Sequence, residues 1–194
     1  MEALKKMKDN QFNLAIVDPP YRKAKENDMN QWNRKTIKEG RLKNWNNKPK
    51  KDYFEELFRV SKNQIIWGAN NFEFEFKGFV VWRKKSISFK FNMSMCEIAS
   101  LSEGLSTISK MFEFIPQQKN RIHPTQKPVK LYEWLLMNYA NEGDKILDTH
   151  LGSGSIAIAA HNLGFDLEGY ELDTEYFEAA TKRLKQHTKQ QRLF

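Results

Sequence analysis

Cysteine, glycine, proline and long hydrophobic runs are all scarce in this sequence. Cys96 is the single cysteine among 194 residues, so an internal disulfide and a zinc knuckle are excluded, and we expect a small buried residue. Nine glycines and six prolines are too few for a low-complexity chain. No apolar stretch approaches the roughly 18 residues that cross a membrane, and no signal-peptide core follows the first lysines. These absences predict a folded cytoplasmic protein with no membrane segment.

The length and the apolar pattern predict one α/β domain over residues 1–194. An apolar content of 40% suffices for one sizeable core. Short apolar runs predict strands, and apolar residues at helical spacing predict helices between them. The predicted strands are 13–17, 64–67, 79–82, 93–101, 145–147 and 167–170, and the predicted helices are 2–8, 53–60, one from 129, 155–163 and 175–186. This alternation predicts a doubly wound parallel sheet, whereas residues 102–122 have no clear period.

Positive charge is concentrated in one segment. Residues 22–51 hold eleven basic residues against three acidic ones, which equals the whole net charge of +8. Such a segment attracts a polyanion, and Trp32 and Trp45 add flat rings on which unstacked bases could lie. A solvated loop is the alternative interpretation. We interpret the segment as a mobile insertion that contacts nucleic acid.

The residues Asp18-Pro19-Pro20-Tyr21 directly follow the first predicted strand. The prolines supply no backbone donors, so the Asp18 carboxylate and the Pro19 carbonyl could both face a pocket as acceptors. Two acceptors suit an exocyclic amine, which has two protons to donate, and Tyr21 offers a ring for a base. A plain turn is the alternative.

A glycine-containing loop lies between a predicted strand and a predicted helix. Residues 148–155 read Asp-Thr-His-Leu-Gly-Ser-Gly-Ser, and Glu171 ends the next strand, where a carboxylate can bind both ribose hydroxyls. The loop therefore fits an adenosine-containing ligand, or it is a structural turn. The candidate binding residues here are Asp148, His150, Gly152, Ser153, Gly154, Ser155 and Glu171.

A third motif, His123-Pro124-Thr125-Gln126-Lys127-Pro128, precedes the helix that begins near Val129. A cation and polar groups beside a helix start can hold a carboxylate, such as the amino-acid end of a sulfonium cofactor. Thr125, Gln126 and Lys127 are therefore candidate cofactor contacts. Taken alone, the motif is a loop.

Together the three motifs resemble the DNA amino-methyltransferases, specifically the permuted class in which the catalytic motif precedes the cofactor motif. The resemblance covers most of the chain: 14–21, 64–71, 79–83, 123–128 and 145–173. It implies a circularly permuted Rossmann-like fold, S-adenosyl-L-methionine as cofactor, and a flipped base in DNA as substrate. It also implies a phage or restriction-modification setting and allows a homodimer.

The resemblance further implies which base is methylated and how. In that family Asp-Pro-Pro-Tyr is typical of adenine N6 methylation, whereas Ser-Pro-Pro-Tyr is commoner for cytosine N4. Asp18 and the Pro19 carbonyl would hold the amine while its lone pair attacks the methyl group directly, with no covalent enzyme intermediate. A nicotinamide-dependent dehydrogenase fits less well, because Ile156 or Ala157 stands where its third glycine belongs.

Two departures from the family pattern qualify these expectations. Asp148-Thr149-His150 replaces the usual Asp-Pro-Phe, and His150 is either a group that titrates near neutral pH or a hydrogen-bonded structural histidine. Relatives also carry a strand and an adenine-binding acid ahead of the helix at 2–8, which this sequence lacks. A fold without one N-terminal strand is therefore expected, and a catalytically inactive DNA-binding relative is an alternative.

Two further segments carry partner hypotheses. Residues 102–122 are a possible minimal target-recognition segment. The C-terminal residues Gln190, Leu193 and Phe194 resemble the short peptides with which bacterial replication proteins bind the sliding clamp. A frayed tail is the alternative interpretation of this last segment.

Overall fold

The computed structural model describes residues 1–21, 48–90, 92–115 and 121–190. Five α-helices and seven β-strands lie within these ranges, with a short 3₁₀ turn at Ala69–Asn71. In chain order they are α1 (Glu2–Lys6), β1 (Phe12–Val17), α2 (Lys51–Val60), β2 (Ser61–Trp67), β3 (Gly78–Lys84), β4 (Cys96–Leu101), β5 (Lys110–Phe114), α3 (Val129–Tyr139), β6 (Lys145–Asp148), α4 (Ser155–Leu163), β7 (Asp166–Gly169) and α5 (Thr174–Lys189).

The seven strands form one mixed sheet in the order β5-β3-β4-β2-β1-β6-β7. All pairs are parallel except those that involve β4, which is antiparallel to β2 and to β3. The expectation of a wholly parallel sheet was therefore wrong for β4. The short connection between β3 and β4 explains the difference, because it reverses the chain, whereas a parallel pair needs a long crossover.

Strand β5 is the element that the sequence did not reveal. It lies inside residues 102–122 and pairs in parallel with β3, from Val80 opposite Lys110 to Lys84 opposite Phe114. Most of its side chains are exposed on both faces, and only Phe112 packs partly against the core. This strand therefore shows no apolar alternation. The assignment of 102–122 to target recognition stays a prediction.

Helices cover both faces of the sheet, which confirms the doubly wound α/β class. On one face Leu14 and Ile16 pack with Leu131 of α3 and Ile156 of α4. On the other face Ala15, Val17 and Leu147 pack with residues of α1 and α2. Alternate residues of β1 thus enter different cores, which explains why its residues 14–17 are all apolar. Among the described residues no strand precedes β1.

The pairing of β1 with β6 fixes the location of the candidate site. Ala15 lies opposite Leu147, so Asp18 and Asp148 leave the sheet at the same edge. Glu171 follows β7, and β3 ends at this edge too because it runs in the same direction as β1. In doubly wound sheets ligands bind at this side, which we call the carboxyl edge.

Several sequence-based expectations concern residues outside the described ranges. Most of the basic segment, residues 22–47, and residues 191–194 of the clamp-like tail lie there. Cys96 is described and is exposed, not buried as expected, because it opens β4 opposite Arg83, which is exposed as well. Within the described ranges no helix is long and apolar enough to span a membrane.

Candidate active site

Asp18 has two carboxylate oxygens in different surroundings. Its Oδ2 forms an ion pair with Nζ of Lys127. Its Oδ1 is buried and, within the described part of the chain, has no hydrogen-bond partner. Burial raises the pKa of Asp18 above its usual value, although the Lys127 charge opposes the rise. The structure therefore holds this carboxylate by one oxygen and leaves the other as an acceptor.

Lys127 is the cation that holds Asp18, and its side chain is only 2% exposed. Its Nζ also lies 3.2 Å from Oε2 of Glu97 and 5.1 Å from the ring centroid of Trp67. Burial lowers the pKa of Lys127, but Asp18 and Glu97 raise it more, to well above its usual value. The lysine is therefore charged at any physiological pH. Its predicted contact with a cofactor carboxylate stays a prediction.

Glu97 is a site residue that sequence reasoning missed. It lies near the start of β4, where it contacts Lys127 on one side and Nζ of Lys84 at 2.5 Å on the other. Burial raises the pKa of Glu97, but the Lys127 and Lys84 charges lower it to about 2. The only sequence signal was a carboxylate in a largely apolar strand. We call Asp18, Lys127, Glu97 and Lys84 the charged cluster.

Tyr21 lies directly against Gly68, the residue that follows β2. Gly68 has φ +69°, and a Cβ atom there would lie 2.2 Å from Cδ1 of Tyr21. The glycine therefore serves two purposes: it adopts a left-handed backbone conformation, and it leaves space for the aromatic ring. Its proximity to Tyr21 was invisible in the sequence, because the two residues follow different strands, β1 and β2.

Asp148 ends β6 and is buried beneath the glycine loop. Its Oδ1 accepts a hydrogen bond of 2.9 Å from the backbone N–H of His150. Burial raises the pKa of Asp148 to about 8; the His150 N–H opposes the rise, and the nearby Asp18 charge adds to it. A buried carboxyl in this state gains most from a cationic partner.

Glu171 is held by two backbone N–H groups, one of which belongs to the glycine loop. Gly152 N–H donates to Oε2 at 2.8 Å, and Asp173 N–H donates to Oε1 at 3.0 Å. The two backbone donors orient the carboxylate at the carboxyl end of β7. Each oxygen keeps a further lone pair, so the group can still accept hydrogen bonds from a diol.

The second half of the glycine loop is held within the protein. Arg183 of α5 donates to the carbonyl of Ser153 at 2.8 Å and to Oγ of Ser155 at 3.0 Å. Gly154 has φ +66° and its backbone packs near Ala180. Ser153, Gly154 and Ser155 therefore shape the loop, and their predicted contact with a cofactor is not tested by these interactions.

His150 has the environment of a structural histidine. Its Nδ1 lies 2.9 Å from Oγ1 of Thr149, which in turn lies 2.6 Å from the hydroxyl of Tyr53. The rings of Tyr53 and His150 meet edge to face at 5.4 Å. Burial lowers the pKa of His150 to about 4, so the ring is neutral at pH 7. Of the two interpretations made from sequence, these contacts favour the hydrogen-bonded one.

The third motif packs against the glycine loop. His123 is buried, meets Tyr176 edge to face at 4.5 Å, and lies next to Gly152. Gln126 is buried and accepts a hydrogen bond from Ile122 N–H at 3.1 Å, whereas Thr125 is exposed. The structure thus brings the three motifs together at the carboxyl edge. Gln126 is engaged within its own loop.

Comparison with known proteins places this arrangement in context. A family model described as DNA methylase, covering N6 and N4 enzymes, matches residues 102–182. The type II methyltransferase M.HpaI of Haemophilus parainfluenzae is 43% identical over 67 residues, which are 34% of this chain and 21% of that protein. The matched part therefore spans about a fifth of this curated relative.

Two solved structures share the fold over nearly the whole chain. The M1.HpyAVI-SAM complex superposes with a TM-score of 0.63 at 21% identity, covering 94% of this chain and 91% of that one. The PvuII DNA methyltransferase, which is cytosine-N4-specific, gives a TM-score of 0.58 at 12% identity, covering 95% and 86%. The fold of this protein is therefore that of the DNA methyltransferases. Residues 102–182 match the DNA methylase family model, which is less than half of the chain.

Proposed function

We propose that this protein transfers a methyl group from S-adenosylmethionine to an exocyclic amino group of a base in DNA, and that the group is N6 of adenine. The observation that carries the proposal is the Oδ1 atom of Asp18, buried and without a partner in the described part of the chain. An amine proton donated to this oxygen would satisfy it. The exocyclic amine of a base that has been flipped out of the duplex into a pocket provides such a donor.

The residues at the carboxyl edge fit the cofactor by the chemistry of their donors and acceptors. Glu171, oriented by two backbone N–H groups, would accept the ribose hydroxyls. Asp148, whose pKa burial raises to about 8, would accept the cationic amino group of the methionine part. Leu172 is exposed beside Glu171 and offers an apolar surface to the adenine ring. When bound, S-adenosylmethionine supplies the electrophilic methyl group.

The protein residues then have distinct tasks toward the target amine. Asp18 accepts one amine proton through Oδ1, and the Pro19 carbonyl accepts the other, which draws the nitrogen toward a tetrahedral geometry. Lys127 holds Oδ2 of Asp18, so the carboxylate cannot rotate away. Tyr21, positioned by Gly68, stacks on the base. Asp18 takes the proton late, because the amine becomes acidic only after it is methylated.

The choice of adenine rests on the Asp-Pro-Pro-Tyr motif, since the fold is shared with a cytosine-N4-specific enzyme. Unmethylated phage DNA incubated with the protein and labelled cofactor, followed by nucleoside mass spectrometry, tests it directly. We expect N6-methyldeoxyadenosine. N4-methyldeoxycytidine would assign the protein to the alternative enzyme. No methylated base and no heat on titration with S-adenosylhomocysteine would indicate an inactive DNA-binding relative.

The affinity for S-adenosylhomocysteine should fall as the pH drops below about 8. Asp148, with its pKa raised to about 8, binds a proton below that value, and this proton must leave when the ligand ammonium binds. Isothermal titration between pH 6 and 9, in two buffers of different ionisation enthalpy, measures the released proton.

The matched control is Asp148→Asn, which carries no proton to release. The amino group of the ligand titrates equally with both proteins, so the difference between them isolates Asp148. An identical pH dependence in wild type and variant would remove Asp148 from the binding of the ammonium group.

Gly68→Ala should lower methyl transfer at least tenfold while leaving S-adenosylhomocysteine affinity unchanged. The new Cβ would lie 2.2 Å from Cδ1 of Tyr21, so the ring must leave its place beside the pocket. Gly143→Ala is the control, because Gly143 has a similar φ of +83° but nothing within 4 Å of the added atom. Both variants carry backbone strain of about 1 kcal/mol. Equal losses of activity would show that strain, and not Tyr21, is responsible.

A further inference from the structure

The connection between β3 and β4 forms a hairpin tip at the carboxyl edge. We define the tip as residues 85–90 and 92–95. Lys84 N–H donates to the Met95 carbonyl at 2.8 Å, and the strands below stay in register down to Gly78 opposite Leu101. Because β3 runs in the same direction as β1, the tip emerges on the same side of the sheet as Asp18.

The tip exposes large apolar side chains that the fold does not use. Phe89 is 93% exposed and Met93 is 57% exposed. Burying a phenylalanine is worth roughly 1.5–3 kcal/mol, and Phe89 contributes little of this to the folded chain. An aromatic ring fully exposed at the end of a hairpin is therefore available to a partner.

The charge around this ring indicates the chemistry of the partner. Residues 84–96 contain three lysines and no acidic residue. Lys85 lies 3.6 Å from Glu113 of β5, and Lys90 is exposed next to Phe89. An exposed aromatic ring flanked by lysines fits a polyanion with an apolar interior. Duplex DNA is such a partner, because its bases stack between two phosphate backbones.

The charged cluster ties this hairpin to the catalytic carboxylate. Lys84, the last residue of β3, pairs with Glu97, which pairs with Lys127, which holds Asp18. Each of these side chains is largely buried, so the end of the hairpin nearest the sheet has a fixed position relative to Asp18. A ring carried on this hairpin would therefore enter DNA at a set distance from the base that Asp18 engages.

We propose that the β3–β4 hairpin docks on duplex DNA and that Phe89 inserts into the base stack beside the target base. This inference rests on the proposed function, because the target amine must leave the stack to reach the buried oxygen of Asp18. Phe89 occupies the gap that the extruded base leaves and so opposes its return. Lys85 and Lys90 hold the flanking phosphates.

Phe89→Ala tests the proposal through a comparison of two DNA substrates. In single-turnover assays at saturating protein, we expect the variant to be at least tenfold slower than wild type on native phage DNA. On the same DNA after heat denaturation, where no stack must be opened, we expect a difference of at most twofold. S-adenosylhomocysteine affinity should not change.

Met137→Ala is the matched control, because Met137 is 63% exposed on α3 and lies toward the end of that helix farther from the charged cluster. It should behave as wild type on both substrates. If Phe89→Ala slows methyl transfer equally on native and denatured DNA, the proposed insertion of Phe89 into the base stack is wrong. It is also wrong if sedimentation shows that Phe89→Ala separates a wild-type dimer, since the ring would then bind a second copy of the chain.

Failure of the proposed function has a different signature. Wild-type protein would then transfer no methyl group to either substrate. In that case the proposed docking of the hairpin is tested by measuring the binding of a fluorescent 30-base-pair duplex. Weaker duplex binding by Phe89→Ala, with single-strand binding unchanged, supports the docking surface without the chemistry. If Phe89→Ala binds the duplex and the single strand as the wild type does, the proposed docking surface is wrong.

Discussion

Asp18→Ala should slow methyl transfer by roughly a hundredfold to a thousandfold, the effect typical of removing one hydrogen-bonding group that acts on the transition state. The reason is the position of Oδ1, which alone in this carboxylate is left for the target amine, while Oδ2 belongs to Lys127. The loss should appear in single-turnover rates at saturating DNA and cofactor, because Asp18 serves the reacting amine and not the cofactor.

The affinity for S-adenosylhomocysteine distinguishes this effect from general damage. In Asp18→Ala it should stay within about twofold of wild type, whereas Glu171→Ala should weaken it strongly, because Glu171 is expected to bind the ribose. Asp166→Ala is a surface control, since Asp166 lies at the far end of β7, is exposed, and has Oδ2 3.7 Å from Nζ of Lys145. Wild-type rates for Asp18→Ala would reject the mechanism.

The sequence predicted those parts of the site that lie where a strand ends. Asp18 follows β1, Asp148 ends β6 and Glu171 follows β7, and parallel strands that are neighbours deliver their carboxyl ends to one edge. The spacing within each motif is local, so it can be read along the chain. The meeting of the motifs at the carboxyl edge then follows from topology alone.

Contacts between distant strands could not be predicted in this way. Glu97 reaches Lys127 only because β4 runs antiparallel beside β2, a direction that apolar periodicity does not encode. Gly68 is recognisable as a strand end but not as the neighbour of Tyr21. The ion pair between Lys127 and Asp18 was also missed, because it joins two residues that are 109 positions apart in the sequence.

The exposed elements were missed for a related physical reason. Strand β5 lies at the edge of the sheet with most side chains exposed on both faces, so burial imposes no alternation on its sequence. The exposure of Phe89 could not be predicted either, because an apolar residue is expected to be buried. Only the fold shows that Phe89 is 93% exposed.

Lys127→Met should destabilise the protein by about 3–5 kcal/mol, the usual cost of removing one partner from a buried ion pair. The substitution keeps much of the side-chain volume but leaves Asp18 and Glu97 without the cation between them. Two buried carboxylates then repel each other, and the pKa of each should rise. For a domain of this size the midpoint of thermal unfolding should drop by roughly 10 °C.

Lys77→Met is the control, because Lys77 is 64% exposed and pairs with Glu103, which is 73% exposed, and such a surface ion pair is worth at most about 1 kcal/mol. A second variant, Lys127→Met with Glu97→Gln, should regain part of the loss, since it removes one of the two repelling charges. Similar midpoints for Lys127→Met and Lys77→Met would show that the buried cation does not stabilise the site.

The pH dependence of this stability difference gives an independent readout. In the wild type the pKa of Glu97 is lowered from 4.5 to about 2, so its ion pairs stabilise the fold above pH 4.5 and lose that effect as the pH falls toward 2. In Lys127→Met much of this contribution is absent at every pH. The difference between the two proteins in denaturant unfolding should therefore shrink as the pH falls, first as the carboxyls of Lys127→Met, with their raised pKa values, bind protons, and then toward pH 2 as Glu97 of the wild type becomes protonated. A difference that stays constant down to pH 3 would mean that lost packing, and not lost charge pairing, explains the effect.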